Sequence, residues 1–148
     1  MASSNDRIVS ATRNIAASPE VIFDLLADPS RHPEIDGSGT VNGSSGDPQR
    51  LELGSKFGMG MKIGPIPYRT YNTVVEFEEN RLIAWAHFGK HRWRYELEPR
   101  DDGTTDVTES FDYSHAVLPK AIELMGFPAK HADSIPATLE RLAHVVEA

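Results

Sequence analysis

The side chains able to take, give or steer a proton gather between positions 69 and 115 of a 148-residue chain: Arg69, Tyr71, Tyr95, Glu109, Tyr113 and His115. Glu109 stands in the run TESFDYS, two residues before Phe111. A carboxylate held among aromatic rings loses its water, its pKa rises, and it suits general acid/base work. A tyrosine hydroxyl, from Tyr95 or Tyr71, would then serve a developing oxyanion. The structural alternative is an ion pair between Glu109 and Arg69, or a place near the open end of a sheet where water reaches the carboxylate. His115, two residues after Tyr113, fits either a proton shuttle at a pocket rim or a solvated histidine at a strand end.

Other chemistries lack their residues. Cysteine is absent, which removes thiolate nucleophiles, disulfides and thiolate metal sites. The six histidines, His32, His87, His91, His115, His131 and His144, have no metal-ligand spacing, so no metal is expected. There is no nucleophile elbow, phosphate loop or dinucleotide fingerprint, so no cofactor is expected. With 22 acidic and 15 basic side chains the net charge is -7 and no Lys/Arg run forms a stripe, so nucleic acid is not an expected partner. No apolar run approaches the ~20 residues a membrane-spanning helix needs, and a cytoplasmic protein without stable membrane insertion is expected.

The elements that must position these groups are mostly strands. In HRWRYELEP, Trp93, Tyr95 and Leu97 alternate with charged residues, the pattern of a strand with one wet and one covered face. Trp and Tyr fill a core, but each also gives a cavity wall its apolar area and one hydrogen bond. Arg7–Ile15, Lys56–Ile63, Tyr68–Phe77, Leu82–Phe88 and Thr104–Tyr113 read as further strands. A weak one around Thr40–Gly43, inside a Gly- and Ser-rich flap from Pro33 to Pro48, brings the count to about seven.

Turn chemistry sets the registers. A two-residue Gly89-Lys90 turn would pair Ala86 with Trp93, Ala84 with Tyr95 and Leu82 with Leu97, and send Trp85 to the outer face beside Arg94. A three-residue loop with Gly103 left-handed pairs Leu97 with Val107, Tyr95 with Glu109 and Trp93 with Phe111. A turn at Glu78–Arg81 would match Phe77 to Leu82, Val75 to Ala84, Thr73 to Ala86 and Tyr71 to Phe88. The expected inner face is Phe57, Met59, Met61, Arg69, Tyr71, Thr73, Val75, Phe77, Ala84, Ala86, Trp93, Tyr95, Glu109, Phe111 and Tyr113. Met59 and Met61 suit an adaptable wall or a gap-filling core.

Helices complete the reading. Ser18-Pro19-Glu20 caps a helix whose apolar face is Val21, Ile22, Leu25 and Leu26. Leu118–Met125 begins another that Gly126, Phe127 and Pro128 interrupt. Ile135, Leu139, Leu142 and Val146, spaced four, three and four, mark an amphipathic helix with Ser134 as N-cap and Pro136 in the first turn. Seven strands at ~4.8 Å span roughly 30 Å, three times the width of a helix, so the sheet must curl around the helix and leave space for large side chains or a ligand.

The order and spacing of ASPEVIFDLLADPSRHPEID, GSKF, VVEFEENRLIAW, HRWRYELEP, DDGTTDVTESFDYS and TLERLAHVVEA resemble the START-like (SRPBCC) superfamily, in its polyketide cyclase/dehydrase-like branch. The resemblance implies one α+β domain, 1–148, of helix-grip fold: a curved antiparallel sheet around a long C-terminal helix broken near Gly126–Pro128, with two short helices after the first strand. It implies a small hydrophobic or aromatic ligand, lipid or polyketide-like, in an internal cavity, in a monomer or homodimer. Phe57, Met59, Met61, Arg69, Tyr71, Trp93, Tyr95, Phe111, Tyr113 and His115 are the candidate ligand-binding residues, and Glu109 with Tyr95 the candidate catalytic pair. Three readings stand: a binding protein, a cofactor-free polyketide cyclase or dehydratase, and a regulatory or chaperone-assisting module docking through a patch at Trp85.

Overall fold

A computed structural model describes residues 7–35, 41–45, 50–63, 65–87 and 90–147, with side chains except at 33, 41–45, 59–63, 69 and 70. Seven strands form one curved antiparallel sheet: β1 (Ile8–Ile15), β2 (Val41–Ser45), β3 (Lys56–Ile63), β4 (Ile66–Glu78), β5 (Leu82–Ala86), β6 (Arg92–Pro99) and β7 (Thr105–Asp112). Their order is β1-β7-β6-β5-β4-β3-β2, so β2 to β7 run as a meander and β1 closes on β7. Helices α1 (Pro19–Leu26) and α2 (His32–Ile35) follow β1, and α3 (Pro119–Leu124) and α4 (Phe127–Glu147) close the chain. This is the helix-grip architecture expected from the sequence.

α1 starts where its cap requires: the Ser18 hydroxyl accepts from the Val21 N–H, with proline at the first helical position. Its buried face is Ile22, Phe23, Leu25 and Leu26, whereas Val21, expected inside, is half exposed. Phe23 takes its place, meeting Phe77 edge-on at 5.5 Å between ring centres.

α4 lies mainly against β1 and α2, with β7 next. Ile135, Leu139 and Leu142 are at most 2% exposed, because spacings of four and three keep them on one helix face. The helix starts seven residues earlier than Ser134, at Phe127, after Gly126 takes a left-handed φ of 78°. Ser134 is therefore a buried residue inside the helix rather than its cap, and Pro136 sits in the helix interior.

Two hairpin registers differ from expectation, each by one residue. At the β6–β7 turn the expected pairs hold, Leu97 with Val107, Tyr95 with Glu109 and Trp93 with Phe111, with Gly103 at φ 88°. Between β5 and β6 the pairs are Ile83 with Tyr95, Ala84 with Arg94 and Trp85 with Trp93. The hairpin closes at His87 and His91, and Lys90 carries the positive φ of 67°, so the connection is one residue longer than a two-residue turn. That single residue sends Trp85 inward and Ala84 and Ala86 outward. Between β4 and β5, Thr73 does pair with Ala86, but a bulge at Val74/Glu76 shifts the rest, so that Val74 and Phe77 face Trp85 and Ile83. Val75 and Tyr71 are exposed.

The outward alanines have their own use. Ala84 pairs with Glu76 on one side and Arg94 on the other, and over its small side chain Arg94 Nη2 reaches Glu76 Oε2 at 2.8 Å and Asp112 Oδ2 at 3.2 Å. Arg92 joins Glu76 at 2.9 Å. Burial alone would raise the Glu76 carboxyl, but the two guanidiniums hold it below its ordinary range.

Candidate functional site

The inner face is built in rows. β6 presents Trp93 and Tyr95, β7 presents Glu109 and Phe111 directly opposite them, and β5 and β4 add Trp85, Ile83 and Val74. The strand alternation that makes this face apolar also delivers Glu109 into it, 3% exposed. The Tyr95 hydroxyl, itself enclosed, donates to Glu109 Oε2 at 2.9 Å. A phenol and a carboxylate so joined can orient a polar group or move a proton between them. The side chains of Arg69, Met59 and Met61, expected beside this pair, lie outside the described residues.

Two aromatic groups flank Tyr95. On one side Trp85 stacks on His32 at 4.9 Å, meets Phe57 edge-on at 5.6 Å and lies 5.7 Å from Tyr95. On the other, Trp93 and Phe111 are 5.0 Å apart and both meet His131 of α4, at 4.7 and 4.4 Å. Phe127 and Tyr113 extend this second group. Trp93, Phe127 and His131 keep partial solvent access although they face the interior.

Beyond Trp85 and Trp93 on the same face come His87 and His91, stacked at 4.6 Å, with His91 at 5.6 Å from Phe111. Burial, then the positive potential of His91 and His131, lowers the His87 pKa to about 3. Burial also lowers His91 and His32. These rings are neutral at physiological pH, and the Nε2–H of neutral His32 donates to the Leu26 carbonyl at 2.9 Å. Asn72, 4% exposed, pairs with Phe57 on the neighbouring strand and sits level with the two histidines.

The sequence placed Phe57, Trp93, Tyr95, Glu109, Phe111 and Tyr113 on this face, and the structure brings them together there. The Tyr113 hydroxyl also bonds Glu123 at 2.9 Å. Tyr71 does not belong: it is 65% exposed, on the outer face beside Thr73, because Thr73 keeps its expected pairing with Ala86 while the longer β5–β6 connection turns Ala86 outward. His115 is exposed past the end of β7. Trp85, expected as an outer patch for a protein partner, is 8% exposed and packed inside. His32, Asn72, Trp85, His87, His91 and His131 were missed. A signal for His131 existed, since Phe127, His131 and Ile135 repeat at four; Asn72, Trp85, His87 and His91 depended on the length of one turn, and His32 on how α2 packs over Trp85.

An outer cleft of about 780 Å³ lies between β1, α2 and α4, lined by Arg13, Glu34, Glu140, Arg141, His144 and Glu147. Its walls carry charges of both signs and none of the aromatic rings, so it lacks the character of an apolar ligand site. Among the described residues no cluster of His, Asp and Glu could hold a metal ion, and no helix is long and apolar enough to cross a membrane.

Solved structures share this fold at low identity. A protein of Nitrosomonas europaea, NE0264, superposes with a TM-score of 0.74 at 14% identity, covering 99% of this chain and 97% of that one. The Aha1 dimer of Colwellia psychrerythraea gives 0.68 at 18%, covering 95% and 96%. In sequence, the chain is 42% identical over 139 residues to the uncharacterized protein Rv0088 of Mycobacterium tuberculosis, matching 91% of this chain and 62% of that protein. The chain thus spans about three fifths of the length of this curated relative. The helix-grip sheet with its aromatic inner face agrees with the family model described as polyketide cyclase / dehydrase and lipid transport, which matches residues 6–147, and the chain belongs to that family.

Proposed function

We propose that this protein binds a small apolar or aromatic molecule between the inner face of the sheet and α4. The observation that carries this reading is the partial exposure of Trp93, His131 and Phe127: rings aimed into the fold are not sealed by it, as they would be in a filled core. The aromatic lining supplies area for a flat ligand, and the family description fits an apolar guest. A thermal-shift screen against fatty acids, sterols, flavonoids and aromatic polyketide mimics, run beside native mass spectrometry of the purified protein, tests it. A ligand at 100 times its dissociation constant should stabilise the fold by ~2.7 kcal/mol. No hit, with no co-purified mass, would reject the reading.

A second reading, a cofactor-free cyclase or dehydratase, is favoured by one contact: the enclosed Tyr95 hydroxyl on Glu109. Glu109 would act as acid and base while Tyr95 steadies the developing oxyanion. Glu109→Gln should then abolish turnover of a polyketide-like substrate and leave its binding largely intact; an active variant would remove this reading.

A further inference from the structure

One end of the inner face carries hydrogen-bonding atoms with no partner among the described residues. Asn72 is 4% exposed, and its Oδ1 has no partner among the described residues; neither has the enclosed Nδ1 of His91. Buried polar atoms are nearly always paired, since each unpaired one costs ~1–3 kcal/mol. The two atoms belong to one row. Thr73 pairs with Ala86 and Ala86 with Arg92, so the next residue along each strand brings Asn72, His87 and His91 level with one another. His91 stacks on His87 and reaches Phe111, which places the row directly beyond Trp85, Trp93 and Phe111.

We propose that this row is the polar end of a binding site for a neutral hydroxylated aromatic molecule, a phenol or an enol, whose hydroxyl hydrogens are accepted by Asn72 Oδ1 and His91 Nδ1 while its rings lie along Trp93 and Phe111. This rests on the cavity reading above and specifies its ligand. The charge of the ligand follows from what surrounds the row. An incoming carboxylate would meet histidines that burial keeps neutral, and no Lys or Arg of the described inner face to pair with. An ammonium would need a carboxylate close by. Glu109 is already held by Tyr95 and lies four residues along β7 from the level of the row, ~13 Å away at strand rise, and Glu123, on the Tyr113 hydroxyl, is already paired with Arg7 at 3.7 Å. A neutral donor satisfies Asn72 Oδ1, and His91 Nδ1 in the tautomer with its proton on Nε2, without burying a charge.

The test is calorimetry of the full chain at pH 7.5 with four probes sharing one ring system: naphthalene, 2-naphthol, 2-naphthoate and 1-naphthylmethylamine. 2-Naphthol should bind about tenfold more tightly than naphthalene, the worth of one good buried hydrogen bond, and more tightly than either ion. Asn72→Leu and, separately, His91→Phe should bring 2-naphthol down toward naphthalene while naphthalene itself binds as before. Equal binding of 2-naphthol and naphthalene, a preference for either ion, or an unchanged ratio in both variants would overturn the proposal and leave the cavity standing. If no probe binds and the fluorescence of Trp85 and Trp93 does not respond, the cavity reading fails with it.

Discussion

Acidification from pH 7.5 to pH 5.5 should destabilise the protein through its enclosed histidines, and the size of the loss can be worked for His87. In the unfolded chain its pKa is 6.5; in the fold, burial and its histidine neighbours lower it to about 3. A group that the unfolded state protonates more readily makes stability fall as pH falls. At pH 5.5 the unfolded chain binds that proton almost fully and the fold hardly at all, so stability drops by about 1.4 kcal/mol relative to pH 7.5. The figure is the same for any folded value well below 5. Glu76, Asp106 and Asp112 add nothing in this window, because they are held below their ordinary values and stay ionised in both states. His32 and His91 act in the same direction as His87. The assay is urea denaturation at both pH values for the native chain and for His87→Asn. The variant should lose about 1.4 kcal/mol less on acidification, a difference of ~3–5 °C in Tm for a domain of this size. Equal pH responses in the two proteins would refute the reasoning.

Three further perturbations follow from the geometry. Gly126→Ala places a Cβ at φ 78° where no atom lies within 4 Å, so only backbone strain should appear, about 1 kcal/mol by denaturation. Pro136 lies inside α4, where its ring removes a helix hydrogen bond, so Pro136→Ala should raise stability by about 1–2 kcal/mol; a loss would contradict the placement. Arg94→Ala strips the cation from Asp112, whose side chain is 4% exposed, and from Glu76, and should cost about 2 kcal/mol in a urea titration. A cost under ~0.5 kcal/mol would assign the network to the weak surface class.

The strands, the long α4 and the β6–β7 register were legible because each rests on a local signal: alternation in HRWRYELEP, the four-three spacing of Ile135, Leu139 and Leu142, and glycine at 103 for a left-handed turn. From these came the pairing of Tyr95 with Glu109 and of Trp93 with Phe111, the centre of the candidate site. The β5–β6 register was not legible. Gly89-Lys90 resembles a two-residue turn, whereas Lys90, a residue with no special preference for positive φ, takes the left-handed place in a longer connection. Because strand side chains alternate, that one residue exchanged Ala84 and Ala86 for Trp85 and His87 on the inner face. The bulge at Val74/Glu76 likewise has no local mark; it sets Phe77 opposite Ile83, while Tyr71, in the register of Thr73 and Ala86, follows Ala86 to the outer face. Ser134 has a cap residue's chemistry, but Gly126 provides the helix break and Phe127 the start, so the cap was not needed.

The central claim is that the inner face, rather than the outer cleft, receives the ligand. The protein's two tryptophans, Trp85 and Trp93, both lie on that face and pair with each other across β5 and β6. A ¹⁵N-labelled sample therefore gives two indole N–H signals, each reporting on the site. Titration with 2-naphthol, or with whichever compound stabilises the protein in the thermal-shift screen, should move both signals along one saturable curve with a single stoichiometry. A ligand that binds by calorimetry while both indole signals stay fixed, and the amides of Arg13, Arg141 and His144 move instead, would place it in the outer cleft and contradict the claim.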